Sequence, residues 1–145
     1  MDDHLDKISF DFFKLFAQYE STLKERDYFH TDKTRKVIVD WDRFANEVVG
    51  NNFKNDLGAL AEAAEYILQQ PPMKQTVDKR NKVVWADVTS EDQSVQALFG
   101  HIRRTRNNLF HGAKFNETWF DPERSNRLIS KSLAILDHYR AWLGH

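Results

Sequence analysis

The chain has 145 residues, of which 41% are hydrophobic, 13% aromatic and 30% charged, with no cysteine and a formal net charge of −1. That composition supports one packed globular domain over residues 1–145 and excludes an intrinsically disordered chain, a disulfide scaffold and thiolate chemistry. Near-neutral charge also excludes a protein that coats nucleic acid without sequence preference, so any such contact needs a local patch.

The first predicted element is a helix over 5–26, where Leu5, Ile8, Phe12, Phe16, Tyr19 and Leu23 recur at three- and four-residue steps. The aromatic residues Phe10, Phe12, Phe13, Phe16 and Tyr19 read as core or as a subunit interface, not as a base-stacking ladder. Residues 27–40 read as irregular and end in the apolar run Val37-Ile38-Val39. Asp40 is placed to cap a short helix in WDRFANEVV, which Gly50 stops. A further helix spans about 57–69, with Leu57, Leu60, Ala64 and Ile67 on one face, and Pro71-Pro72 end it.

Residues 73–90 are the least helical. Val83-Val84-Trp85 suits a strand or a tucked tryptophan, but one such piece makes no sheet. Ser90 with Gln93 reads as a capping box, starting the next helix near Glu91 and running it to about His111, with Gly112 as its C-terminal cap. Asp121-Pro122 starts the last helix, whose face carries Ile129, Leu133, Leu136, Tyr139 and Leu143. The expected fold is all-α: an antiparallel bundle of four main helices plus a short one. The start MDDHLDKISF lacks the pattern of a signal peptide, and no run approaches the roughly 18 apolar residues of a membrane span. A cytoplasmic protein without membrane contact is therefore expected. Two basic stretches are candidates for nucleic-acid contact: residues 101–106 and Lys79-Arg80-Asn81-Lys82.

The stretch LFGHIRRTRNNLFHGAKF, residues 98–115, raises the chemical question. Val95, Leu98, Ile102, Arg106 and Leu109 share one side of a helix, so a permanent cation falls on an apolar stripe. Buried and unpaired, it would cost several kcal/mol. It needs an anion or an opening to water, and one plain solution is an ion pair with a carboxylate such as Glu20. His111 lies about 140° further round the axis at 100° per residue, and Asn107 lies one turn before it. Arginine offers a planar fork matched to phosphate oxygens, and histidine exchanges a proton near neutrality. The spacing by itself is weakly specific. With ten arginines and six histidines, about one such match arises by chance. Arg104 with His111 and Arg140 with His145 are competitors. No His-Glu-x-x-His or comparable metal-ligand spacing occurs, no metal or other cofactor is expected, and no glycine-rich phosphate loop is present.

The string Arg106-Asn107-Asn108-Leu109-Phe110-His111-Gly112 resembles the Arg-x4–6-His signature of the HEPN superfamily, with the polar residue after the arginine that is typical there. Some members also carry Glu-x3-Lys-Arg on an early helix. Glu20 and Lys24 fit its first two positions, but Glu25 stands where the arginine would be. The resemblance implies a metal-independent endoribonuclease of single-stranded RNA, of the kind that acts as a toxin or phage-defence effector. It also implies a homodimer with one composite cleft, and an antitoxin protein as a candidate partner. Carried onto this chain, Arg106 would hold the scissile phosphate, His111 would be general base or acid, and Asn107 would orient either. Arg103, Arg104, Lys114, Glu20 and Lys24 would contact substrate. A non-catalytic HEPN module binding nucleotide, RNA or a protein shares the same motif and is the alternative.

Overall fold

A computed structural model describes residues 3–110, 114–115, 118–119 and 121–144. Helix α1 is Asp3–Glu25. It contains neither glycine nor proline, and its periodic face is buried through Leu5, Phe12, Phe16, Tyr19 and Leu23. The strands β1 (Phe29–Thr31) and β2 (Val37–Val39) pair antiparallel, with His30 opposite Ile38. Helix α2, Trp41–Phe44, starts at the Asp40 cap, whose carboxylate accepts the Arg43 amide at 3.1 Å, and it continues as a π-helical stretch, Ala45–Val49. Gly50 ends that stretch at φ +84°, a backbone conformation open to glycine and costly to other residues.

The helix expected over 57–69 is two pieces. These are α3 (Phe53–Leu57) and α4 (Ala61–Gln69), joined by a 3-10 turn, Gly58–Leu60. Next come β3 (Lys74–Val77) and β4 (Val83–Ala86), paired with Thr76 opposite Val84. Helix α5 is Val95–Phe110. The short strands β5 (Lys114–Phe115) and β6 (Thr118–Trp119) pair next, and α6 (Pro122–His138) is followed by a 3-10 turn, Arg140–Leu143. Asp121 caps α6 as expected, accepting the Arg124 amide at 3.3 Å.

The chain is mostly helical, but the all-α expectation requires correction, because three antiparallel strand pairs lie between helices, and Val83-Val84-Trp85 takes the strand option in the second of them. The start of α5 also moves. Ser90 accepts a hydrogen bond from Asp92 in a local turn, while Ser94 receives the Ala97 amide at 3.1 Å and is the true cap. Among the described residues, no helix is long and apolar enough to cross a membrane. Gly112, expected to cap α5, lies outside the described residues.

Helix α6 lies along α1 and α4, and α5 packs on α2 and α4. The centre is aromatic. Trp41 stacks on Phe99 at 6.1 Å, Phe44 meets Trp142 edge-on at 4.9 Å, and the buried Tyr19 hydroxyl donates to the Leu136 carbonyl. That last bond ties α1 to α6, so Tyr19 contributes a large apolar body and a satisfied polar tip. Burial holds its phenol well above the ordinary range. The aromatic residues of α1 divide: Phe12, Phe16 and Tyr19 are core, whereas Phe10 and Phe13 are 63% and 42% exposed.

Candidate functional site

Three residues of the α5 stripe, Val95, Leu98 and Ile102, are fully buried. One turn on, the helix reaches the edge of the core, and Arg106 keeps 24% of its side chain exposed. Its guanidinium lies over the Phe16 ring, 4.7 Å from the centroid. Its Nη2 stands 3.4 Å from Oε1 of Glu20, whose side chain is 26% exposed. The other carboxylate oxygen of Glu20 accepts the Trp41 indole N–H at 3.0 Å, and Trp41 packs on Phe16 at 4.9 Å. Four residues from three helices therefore close a loop of contacts around one cation. They border a shallow pocket lined by Phe13, Phe16, Ala17, Glu20 and Arg106.

Two features of this arrangement bear on chemistry. Stacking on Phe16 fixes the plane of the guanidinium and contributes about 0.5–2 kcal/mol. The ion pair is partly open to water, so its net contribution is about 1 kcal/mol or less. An anionic ligand entering the pocket would compete with Glu20 for the arginine. The arginine is thus oriented by its own chain.

The other candidate residues are spread around this cluster. Asn107 is exposed on α5, and Arg103 and Arg104 are half-exposed. Asn108 turns the other way and donates from Nδ2 to the Met73 carbonyl at 2.8 Å. Lys24 is exposed one turn beyond Glu20 on α1. His111 lies outside the described residues, and Lys114 contributes only its strand backbone to the description. Of the candidate residues, the structure brings Arg106 and Glu20 together.

His101 belonged to the basic stretch in the sequence, but it is 94% buried, with 6% exposure. Desolvation first, and then the nearby Arg104 cation, hold its pKa below the ordinary histidine value, with a smaller opposing pull from Asp92. It is a neutral core histidine. Among the described residues, no group of three or more His, Asp or Glu side chains is placed to hold a metal ion.

Sequence reasoning missed Trp41 as a partner of Glu20. They are 21 residues apart, with a hairpin between them, and no periodicity links them. It also missed Arg124, which donates to the Pro71 carbonyl at 2.6 Å and stands 3.3 Å from Asp87. Arg124 lines a second pocket with Met73, Trp85, Asn108, Leu109 and Leu128. Comparison with protein-family models, curated proteins and solved structures gives no significant match.

Proposed function

We propose that the chain is a HEPN-type endoribonuclease that cuts single-stranded RNA in the cytoplasm without a metal, using Arg106 and His111. The supporting observation is the position of Arg106: stacked on Phe16, paired with Glu20, and a quarter exposed in the lining of a pocket. The string from Arg106 to His111 supplies the remaining chemistry. RNA brings its own nucleophile. The 2′-oxygen attacks phosphorus, its proton passes to a base, and the 5′-oxygen leaves and takes up a proton. Arg106 would leave Glu20 for the phosphate and stabilise the charge that builds on its oxygens. His111 would move the proton, as base in one direction or acid in the other, with Asn107 orienting it. Arg103, Arg104, Lys24 and Lys114 would contact the flanking backbone.

The same reading supplies a second copy of the chain. Phe10 and Phe13 are large, exposed and one turn apart on α1, and Phe13 also lines the Arg106 pocket. A homodimer covering them would convert that pocket into a composite cleft, and an antitoxin protein would restrain it by binding the same face. A non-catalytic HEPN module is the second reading, and one observation favours it: Glu20 neutralises Arg106, which weakens the pull on a phosphate.

Product chemistry separates the two. Incubated with a single-stranded RNA in excess EDTA, the enzyme leaves a 2′,3′-cyclic phosphate or 3′-phosphate and a 5′-hydroxyl, resolved by mass spectrometry. His111→Ala lowers the rate by about 10²–10⁴-fold. A binding module gives saturable RNA affinity and intact RNA after long incubation.

A further inference from the structure

The hairpins β1–β2 and β3–β4 are built alike. Each turn begins with an aspartate: Asp32-Lys33-Thr34-Arg35-Lys36 and Asp78-Lys79-Arg80-Asn81-Lys82. In each, the amide of the fourth residue donates to the aspartate carbonyl, and the aspartate amide donates to the carbonyl of the fifth. In each, the aspartate Oδ1 accepts the amides of the third and fifth residues at 2.8–3.0 Å. In each, the fourth residue is left-handed, Arg35 at φ +66° and Asn81 at φ +61°. This is the three-residue hairpin loop that ends in a bulge.

The shared geometry has an electrostatic consequence. Each acid is spent inside its own turn, and hydrogen bonds hold the Asp32 carboxyl below the usual carboxylate range. The cations are left facing water. Lys33, Arg35, Lys36, Lys79, Arg80 and Lys82 are all exposed. Among the described residues, none of them lies within 4.0 Å of a carboxylate. A molecule with a net charge of −1 thus concentrates six cations at two loop tips. Arg35 adds a second argument. Its left-handed position favours glycine or asparagine, so the chain accepts backbone strain to keep a cation there.

The two hairpins are rooted on opposite faces of α5, the first on the Arg106 side and the second on the Asn108 side. The first closes where the Asp40 amide donates to the Tyr28 carbonyl, and the next residue, Trp41, bonds Glu20, the partner of Arg106. The second leaves from Met73, whose carbonyl holds Asn108 on the face of α5 turned away from Arg106. At about 3.3 Å per strand residue, the tips stand roughly 10–13 Å from these roots.

We infer that the two hairpin tips are a pair of phosphate-gripping fingers that hold the backbone of a single-stranded nucleic acid on either side of α5, the helix that carries Arg106. The choice of ligand rests on the RNA reading above; the grip itself does not depend on cleavage. The measurement is fluorescence anisotropy with an uncleavable 20-nucleotide 2′-O-methyl RNA across 50–200 mM KCl. One triple variant carries Lys33→Gln, Arg35→Gly and Lys36→Gln. A second carries Lys79→Gln, Arg80→Gln and Lys82→Gln. Each flattens the slope of log affinity against log salt by about 2, at roughly 0.7 per lost phosphate contact. Each also weakens binding about tenfold or more. A control triple at exposed sites elsewhere, Lys7→Gln, Lys54→Gln and Arg127→Gln, changes both far less. Arg35→Gly alone weakens binding while the melting temperature holds or rises, which a purely structural role does not allow. Wild-type slopes in both hairpin triples, an equal loss in the control triple, or hairpin-dependent binding to phosphatidylserine vesicles without binding to RNA overturns the inference. The nuclease reading fails separately: if hairpin variants lose affinity while cleavable RNA stays intact with the wild type, the fingers stand and the catalytic assignment falls.

Discussion

Glu20 has two jobs in this account, and they pull in opposite directions. It orients Arg106 through a 3.4 Å contact, and it competes with any phosphate for the same cation. Glu20→Gln keeps an acceptor for the Trp41 indole but removes the competing charge. The expected result is RNA affinity several-fold tighter by anisotropy, with stability lowered by about 1 kcal/mol or less in a urea melt. Unchanged affinity would show that Arg106 does not meet the backbone. The anomaly that made Arg106 legible was its place on an apolar stripe, since a guanidinium there needs a partner, and Glu20 was a foreseeable one. The other member of the cluster was not, because the contact between Trp41 and Glu20 depends on how the first hairpin returns the chain to α1.

His101 gives the clearest pH effect at this scale. Its pKa in the folded chain lies below the unfolded value of about 6.5, so the unfolded chain binds the proton first. Its contribution to stability is complete above about pH 6.5 and is lost as pH falls from there through the lower folded value. Denaturant melts between pH 7 and 5 should therefore show stability dropping on the acid side, by up to about 1.4 kcal/mol per pH unit for this one proton. His101→Leu should flatten that limb, and an unchanged slope would assign it to other groups. In the sequence, His101 looked like part of a basic patch. Its burial follows from α5 phase, which only the packing against its neighbours fixes.

At the scale of elements, local chemistry was readable wherever a single residue decides. Asp40 and Asp121 each cap the helix expected of them. At α5 the pattern pointed to the wrong serine. Ser90 with Gln93 fits a capping box, yet Ser94 does the capping. Ser94→Ala should cost about 1 kcal/mol in a thermal or urea melt, and Ser90→Ala should stay within about 0.5. The reverse order would move the start of α5. The hairpin pairings were missed for a different physical reason, although a strand was one of two readings of Val83-Val84-Trp85. Their strands are three or four residues long and mostly exposed, so alternation between buried and exposed positions is absent. Their turns also lack the Asn-Gly or Asp-Gly pair that marks a hairpin, using an aspartate and a left-handed Arg35 or Asn81 instead.

At the scale of the whole molecule, exposed apolar side chains lie on α1 and on the hairpin strands, where Phe29, Val37, Val77 and Val83 flank the cationic tips. The helices bury an aromatic core and leave Phe10 and Phe13 outside it, while the hairpin tips carry cations into solvent. If a second copy covers the α1 face, light scattering on the purified protein gives twice the chain mass of 17.1 kDa. Phe13→Asp then shifts it toward the monomer without unfolding it, since Phe13 is not core. A strict monomer in the wild type would remove the composite cleft. The mostly helical character was legible because α1, α4, α5 and α6 repeat apolar residues at helical spacing. How those helices bring residue 106 to residue 20 was not, since 86 positions separate them and the pairing is purely tertiary. The most direct test of the central claim is the single-turnover cleavage rate of Arg106→Ala with RNA in excess EDTA. A fall of about 10²–10³-fold in a variant that folds and still dimerises is the result this account predicts. Cleavage at the wild-type rate would contradict it.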